Sequence, residues 1–368
     1  MLLTYLKHSG WLSTNFILIF PYRYEIDPAS IGRLEVGTET LIDKSKSTKT
    51  VLMSLFEGNT DIEGATIVNA CYGGTAALLN AVAWCSSAID NGGEQKYAIV
   101  VAADIAAYAR GPARPTGGCG AVALLVGHDA PLVVGPRATH AAHVWDFFKP
   151  DPSVEYPTVD GALSQQCYYR ALEDVYERLA KKMCASGGNW TAETPDYWCF
   201  HAPYNKLVQK SFARLFFLDA RKQTQASTET IEEKKQPEQH QQEASPLQQW
   251  LDVPLGDTYS DRALDGVLKK LSAAAFKERL EDANAASKAV GNTYTASVFL
   301  GIASLIDRVG GRGELTPGKS VAWSPGNHVL VCECVSCPGN ASALGFSLFP
   351  TCSRNPTCST HKSSPSRT

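Results

Sequence analysis

The chain has 368 residues, of which 44% are hydrophobic and 19% charged, with a formal net charge of -3. That length and apolar content suffice for one large or two smaller packed domains. The near-neutral balance excludes a polybasic surface for nucleic acid or anionic membrane, so any anion site must be a local cluster of Lys and Arg.

Cysteine usage points to a reducing compartment. There are 11 cysteines, an odd number without regular spacing, which is not a disulfide framework. Those from Cys71 to Cys199 fall in stretches that read as helix and strand, and are expected reduced and mostly buried, as in a cytoplasmic protein. No apolar run is long enough to span a bilayer. The start, Leu2 to Tyr22, holds one short apolar patch, Phe16 to Phe20, behind Lys7 and His8, without a clear small-residue cleavage site; a non-secreted protein is expected.

In chain order, residues 31 to 135 alternate strand-like and helix-like segments. Ile62 to Ala70 reads as a strand entering Cys71, and residues 72 to 86 as a helix with Leu78, Leu79, Val82 and Ala83 available to pack. Tyr97 to Ala103 and Gly120 to Gly127 are continuous apolar runs, the pattern of strands buried on both faces. Residues 161 to 184 carry Tyr168, Leu172, Val175, Leu179 and Met183 on one helical stripe. A short strand is expected at 197 to 202, then a helix from about Pro203 to Ala220 with Pro in its first turn. Strands alternating with helices give an α/β layered fold.

Residues 221 to 248 change character: Gln, Glu, Lys, Ser and Thr dominate and no aromatic residue occurs, which reads as a low-complexity insertion or surface loop. Helical patterning returns at about 260 to 285 and at 295 to 308. From residue 325 onward no periodicity is evident, and 325 to 368 is read as an unstructured Cys, Ser and Pro tail. Its Cys332, Cys334 and Cys337, with Cys352 or His361, can be assembled into a zinc site only on paper, because paired CxxC spacing is missing.

The chemistry centres on Asn69-Ala70-Cys71-Tyr72-Gly73-Gly74-Thr75. An apolar strand delivers a cysteine to a turn, and small residues follow where a helix begins. A helix N-terminus favours the thiolate, glycines allow close approach of an acyl group, and nearby N–H groups can hold an oxyanion. On spacing alone Cys71 reads equally well as one more buried small residue.

The segment NACYGGTAALLNAVAW resembles the active-site segment of hydroxymethylglutaryl-CoA synthases. GRLEVGTETLIDKSKS (32 to 47), ARPTGGCGAVALLVG (113 to 127), YPTVDGALSQQCYYRAL (156 to 172), FHAPYNKLVQKS (200 to 211) and GNTYTASVFLGIASL (291 to 305) resemble the same family in the same order. The resemblance runs from about Tyr24 to Trp323 and implies a thiolase-like fold, with 24 to 220 and 249 to 324 as its two parts. It further implies that Cys71 takes an acetyl group from acetyl-CoA, that Glu39 removes a proton from the acetyl methyl group, and that His201 hydrogen-bonds acetoacetyl-CoA. By the same resemblance, Thr116, Ser164 and Asn292 contact substrate, and Lys206 and Lys210, four apart on one helix face, meet CoA phosphates. On local chemistry alone these are equally turn, cap or solvated residues. The expected product is 3-hydroxy-3-methylglutaryl-CoA, with no cofactor beyond the thioester substrates, no metal, and a homodimer as the assembly.

Against the family pattern, residues 1 to 23 are unmatched, the Gly-rich loop expected after Trp323 is missing, and Pro112 stands where the family commonly has Asn. The fold is therefore expected to be incomplete at both ends. The alternative function is a catalytically impaired relative that binds CoA or pairs with a full-length subunit.

Overall fold

The computed structural model describes residues 26–334 apart from 42, 57, 88–95, 129, 186, 188, 234–244 and 326–327. The segment 1–23, the middle of the polar insertion and the tail beyond 334, with Cys337, Cys352, Cys358 and His361, lie outside the described residues.

Two four-stranded sheets carry the fold. In the first, β2 (Thr66–Ile67), β1 (Ile31–Gly37), β3 (Tyr97–Ala106) and β4 (Gly118–Val126) lie side by side in that order. The pairs β2/β1 and β1/β3 are parallel and β3/β4 is antiparallel. In the second sheet the order is β5 (Leu132–Thr139), β10 (His328–Cys334), β9 (Ser320–Ser324) and β8 (Tyr197–Phe200). Only β8/β9 is parallel there. A two-residue hairpin, β6 (Phe147–Phe148) with β7 (Thr158–Val159), stands apart from both sheets.

The alternation of side chains along each strand sorts the core into layers. Ala98, Val100 and Ala102 of β3 face the same cluster as Cys199, Val321, Trp323, Leu330 and Cys332 of the second sheet. Two helices fill that space: α2 (Gly73–Cys85), through Ala77, Leu78 and Ala81, and α8 (Ser297–Leu305), through Val298, Phe299, Ile302 and Leu305. Both helices are rich in apolar residues around their circumference, as burial between two sheets requires. The intervening residues of β3, Ile99 and Val101, pack outward on Leu52 and Phe56, at and just after α1 (Thr48–Leu52). Trp198, Phe200, Ala322, Val329 and Val331 pack outward from the second sheet on α3 (Gly161–Ala185) and α4 (Asn205–Glu233). The result is helix, sheet, helix, sheet, helix.

Several expectations hold in type and move at their ends. The stripe on α3 is as read, with Leu172, Val175 and Leu179 fully buried. The strand expected over 62 to 70 pairs regularly only at Thr66 and Ile67, with an isolated bridge from Glu63 to Arg33. Gly64 between them takes φ +115, and a Cβ there would stand 2.1 Å from Leu34 O, so the chain bends at that point. The helix expected over 260 to 285 is three: α5 (Arg262–Leu271), α6 (Ala273–Arg279) and α7 (Glu281–Val290). After α8 the helix continues as one π turn over Ile306–Gly310.

Two expectations are overturned. The polar stretch from 221 is not a loop at its start: α4 runs on to Glu233, and Leu247 beyond the gap is buried. Gln, Lys, Glu and Ala are strong helix formers, so polar composition there marked a helix and not a breaker. The tail reading also fails at its start. Residues 328 to 334 form β10, a central strand between β5 and β9, because Val329-Leu330-Val331-Cys332 is a short apolar run able to bury both faces.

Candidate active site

Parallel pairing places the site. Val36 opposes Thr66 and Gly37 opposes Ile67, so β1 and β2 end together, and β3, parallel to β1, ends on the same side. Three chain segments therefore emerge at one sheet end: Thr38 to Thr40, Asn69 to Cys71, and Asp104 to Tyr108. Carboxyl ends of parallel strands are where α/β sheets usually expose reactive groups.

Cys71 sits in a single 3₁₀ turn, Ala70–Tyr72, that runs directly into α2. The turn is tight: the N–H groups of Tyr72 and Gly73 both donate to Asn69 O, at 2.8 and 2.9 Å. Ala70 takes φ 33, a left-handed conformation that a residue with a Cβ seldom adopts. Gly37 and Gly74 let β1 touch the start of the helix, since a Cβ on Gly37 would stand 2.2 Å from Gly74 N. The Gly74 N–H donates to Thr295 Oγ1, which fixes the helix start against the turn before α8.

Asp104 ties these segments together. Its Oδ1 accepts from Thr38 Oγ1 and Glu39 N at 2.9 Å, and from Thr40 N and Oγ1 at 3.0 and 2.9 Å; its Oδ2 accepts from Thr295 N at 3.2 Å. Burial, then the Glu39 charge, push its carboxyl up to about 7, while the donors pull the other way.

Glu39 follows on that loop with its side chain only 6% exposed. Lys149 Nζ lies 2.9 Å from Glu39 Oε1, at ion-pair distance but not aligned as a hydrogen bond. Burial raises the Glu39 carboxyl above the ordinary range, and Lys149 opposes the rise. At Cys71 the expectation of a helix-stabilised thiolate is corrected. The residue is half-buried, and desolvation followed by the charges of Glu39 and Asp104 raises the thiol well above its usual value. Two carboxyl groups and burial outweigh a short helix terminus. Cys71 is held as the thiol, and a thiol becomes a strong nucleophile only once a base takes its proton.

His201 follows β8 and is buried, its N–H donating to Ser324 O at 2.7 Å and its carbonyl accepting from Tyr168 Oη at 3.0 Å. Desolvation lowers its imidazole to about 4, so the ring is neutral at pH 7. The next residue, Ala202, donates to Ser297 Oγ at 2.9 Å, two residues beyond Thr295. The segments bearing His201 and Cys71 are thus tied to the start of α8 and to the turn just before it, from opposite sheets.

Asn292 and Thr116 meet. Asn292 N donates to Thr116 O at 2.8 Å, while its side-chain amide donates to Tyr108 Oη at 3.0 Å and its Oδ1 accepts from Tyr294 N at 2.9 Å. The Thr116 hydroxyl is used within its own turn, donating to Ala113 O. Tyr294, at φ 43, packs edge-on to Tyr108 with ring centroids 5.9 Å apart. Ser164 lies half-buried in the first turn of α3, its N–H donating to Asp160 O. Beside it Gln165 donates to Tyr204 Oη, just before α4. Lys206 is exposed, and Lys210 pairs with Asp265 at 2.7 Å. Pro112 is exposed in a turn.

Asp104, Lys149, Tyr108, Tyr294 and Thr295 were not singled out in the sequence. Asp104 carried a signal, a lone charge in the apolar run of β3; Lys149 carried none. The tail cysteines are corrected too: Cys332 is buried and accepts from Trp323 Nε1 at 3.2 Å, and Cys334 is buried in the same core. Among the described residues no His, Cys, Asp and Glu cluster has the makings of a metal site.

The sequence matches two family descriptions, "Hydroxymethylglutaryl-coenzyme A synthase N terminal" over residues 12–131 and "Hydroxymethylglutaryl-coenzyme A synthase C terminal" over residues 132–328. The chain belongs to the hydroxymethylglutaryl-CoA synthase family. It is 44% identical over 301 residues to hydroxymethylglutaryl-CoA synthase A of Dictyostelium discoideum, covering 80% of this chain and 59% of that protein. It is 49% identical over 289 residues to the cytoplasmic hydroxymethylglutaryl-CoA synthase of Gallus gallus, covering 75% and 52%. The chain therefore spans between half and three-fifths of the length of these relatives. Among solved structures it resembles "MvaS in complex with 3-hydroxy-3-methylglutaryl coenzyme A", with TM-score 0.71 and 26% identity over 92% of this chain and 74% of that one. The five-layer stack is accordingly the thiolase-like fold of hydroxymethylglutaryl-CoA synthases.

Proposed function

We propose that the chain condenses acetyl-CoA with acetoacetyl-CoA to 3-hydroxy-3-methylglutaryl-CoA through an acetyl-cysteine at Cys71. The observation that carries this reading is the pairing of two groups at one sheet end: a thiol in a strained turn at a helix start, and a buried carboxyl, Glu39, within electrostatic reach of it. In the first step the Cys71 sulfur, giving up its proton, attacks the acetyl thioester carbonyl and CoA leaves as its thiol. Glu39, with a carboxyl raised toward neutrality by burial, then takes a proton from the acetyl methyl group. The resulting carbanion adds to the ketone of acetoacetyl-CoA. The neutral His201 ring donates an N–H to the developing alkoxide, which takes up a proton. Water then cleaves the thioester to Cys71, leaving a free carboxylate on the product and restoring the thiol.

Thr116, Ser164, Asn292, Lys206 and Lys210 belong to substrate contact in this reading. Lys210 must trade Asp265 for phosphate, whereas Lys206 is already exposed. No cofactor or metal enters the scheme. A cytoplasmic location is part of the same proposal, supported by relatives whose names are cytoplasmic, and so is assembly as a homodimer. Among the described residues no helix is long and apolar enough to cross a membrane.

The deciding experiment incubates folded protein with acetyl-CoA and weighs it intact, with Cys71→Ser as control. One added acetyl group, lost from the variant, and consumption of acetoacetyl-CoA only when acetyl-CoA is present are expected. An unmodified Cys71 overturns the reading; acetylation without condensation leaves the CoA-binding, catalytically impaired alternative.

A further inference from the structure

Lys149 follows directly on β6, outside every segment that sequence reading assigned to the site. Its side chain is 19% exposed, yet its Nζ atom is buried. That atom stands 2.9 Å from Glu39 Oε1, 3.9 Å from Glu155 Oε2 and 5.6 Å from the centre of the Tyr294 ring. No aligned hydrogen bond to it exists among the described residues. Removing an ammonium group from water costs several kcal/mol, and a well-packed apolar side chain in such a place is commonly as stabilising or more so. The charge therefore does little for the fold and acts mainly on the carboxyl it touches.

We propose that Lys149 is the positioning residue of the Glu39 base: its ammonium, in contact with Oε1, keeps the carboxylate ionised and fixed at the Cys71 end of the site. The proposal rests on the reading of Glu39 as the base. The groups that act on Glu39 are few. Lys149 is the cation; Glu155 and Asp104 are acidic neighbours that favour the protonated form; Cys71, Tyr108 and Tyr294 complete the titratable ring around it. With burial and two acidic neighbours all pushing toward the neutral acid, Lys149, the cation that acts on Glu39 among the described residues, decides how much of Glu39 is available as a base near pH 7. Glu155 is the counterweight: at 3.9 Å it shares the ammonium without displacing it from Glu39.

The test compares Lys149→Met with Lys149→Arg in the full chain by two readouts. Infrared difference spectra against Glu39→Gln follow the carboxylic-acid C=O stretch of Glu39 with pH, whether or not the protein turns over. The stretch is expected to persist to a pH higher by about one unit or more in Lys149→Met, and to stay near its original position in Lys149→Arg. In turnover, Lys149→Met is expected to slow condensation more than acetylation of Cys71, whose thiolate Lys149 also favours; condensation falls roughly 10- to 100-fold at pH 7 and its acid limb moves upward by the same shift. A C=O stretch that titrates identically in Lys149→Met overturns the proposal, as does an acid limb that does not move. A shifted stretch in a protein that never acetylates Cys71 supports the Lys149–Glu39 pair and counts against the proposed reaction instead.

Discussion

Asp104 Oδ1 accepts from Thr40 twice, from the backbone N–H at 3.0 Å and from the hydroxyl at 2.9 Å. Because the same carboxyl also takes the N–H groups of Glu39 and Thr295, one buried side chain sets the distance between the loop bearing Glu39 and the turn that grips the start of α2. Asp104→Asn keeps one acceptor oxygen for the Thr38 to Thr40 loop but turns an NH₂ toward Thr295 N–H. A loss of about 1–3 kcal/mol in urea unfolding is expected. Asp104→Ala leaves the backbone N–H groups of Glu39 and Thr295 without an acceptor, Thr40 keeping Thr38 Oγ1, and costs more, about 3–5 kcal/mol. Equal midpoints for the two variants would show that the Thr295 contact does not matter.

His201 makes stability depend on pH. Its folded value, about 4, lies below the ordinary 6.5. A depressed histidine favours the folded state while neutral, so its contribution is complete above pH 6.5 and is lost as pH falls through 4. A shift of that size corresponds to roughly 3 kcal/mol. Glu39 and Asp104, both raised, work in the opposite sense, so the contribution is isolated by subtraction. Wild type minus His201→Asn in denaturant midpoint should decline between pH 6.5 and 4 and be flat above pH 7. A flat difference throughout would mean that the ring is solvated.

Cys71 should react slowly with iodoacetamide at neutral pH, because burial and two carboxyl groups hold it as the thiol. Glu39→Gln removes one of the two carboxyl charges, and alkylation at Cys71, read by peptide mass, should then quicken about 10-fold at pH 8. An unchanged rate would place the Glu39 charge too far away to act on the sulfur.

Gly37 and Gly74 face each other at the same contact, and their alanine variants should differ. A Cβ on Gly74 meets Ala102 Cβ, Thr295 Oγ1 and Phe299 Cε2 at 2.8 to 2.9 Å; the Phe299 ring can turn aside, whereas Ala102 Cβ moves only with β3, and no backbone atom is struck directly. A cost of about 1–3 kcal/mol is expected. A Cβ on Gly37 meets the Gly74 backbone at 2.2 to 2.4 Å, which cannot yield without moving α2. Gly37→Ala should lose soluble, cooperative folding where Gly74→Ala retains it.

Much of this architecture was legible in the sequence, for identifiable reasons. The apolar runs of β3 and β4 and the stripe of α3 are periodic, and burial follows periodicity. The NACYGGT turn was legible as a turn, but its electrostatics were not. The local sequence shows the helix start near Cys71, while the two carboxyl groups that oppose it come from segments 32 residues before and 33 residues after it. Lys149 was illegible for the same reason: its partner is 110 residues away in the chain. Composition misled where it was read as structure. Gln- and Glu-rich sequence after 220 continued a helix, and the Cys-rich stretch after 325 began with a core strand.

That strand gives the last prediction. Leu330 pairs with Trp323 across β10/β9 and is fully buried in the cluster between the two sheets. Val133, on the neighbouring strand β5, pairs with Glu333 but is 47% exposed. If β10 is part of the cooperative core, Leu330→Ala removes buried methyl groups and leaves a cavity between α8 and the second sheet, at a cost of about 2–5 kcal/mol. Val133→Ala loses only half-covered surface and should cost less than about 1 kcal/mol. Urea unfolding followed by tryptophan fluorescence suits the comparison, because Trp323 lies against the site of the truncation. Equal small effects from both substitutions would mean that residues 328 to 334 do not fold with the core, and the tail would then begin where its composition first changes.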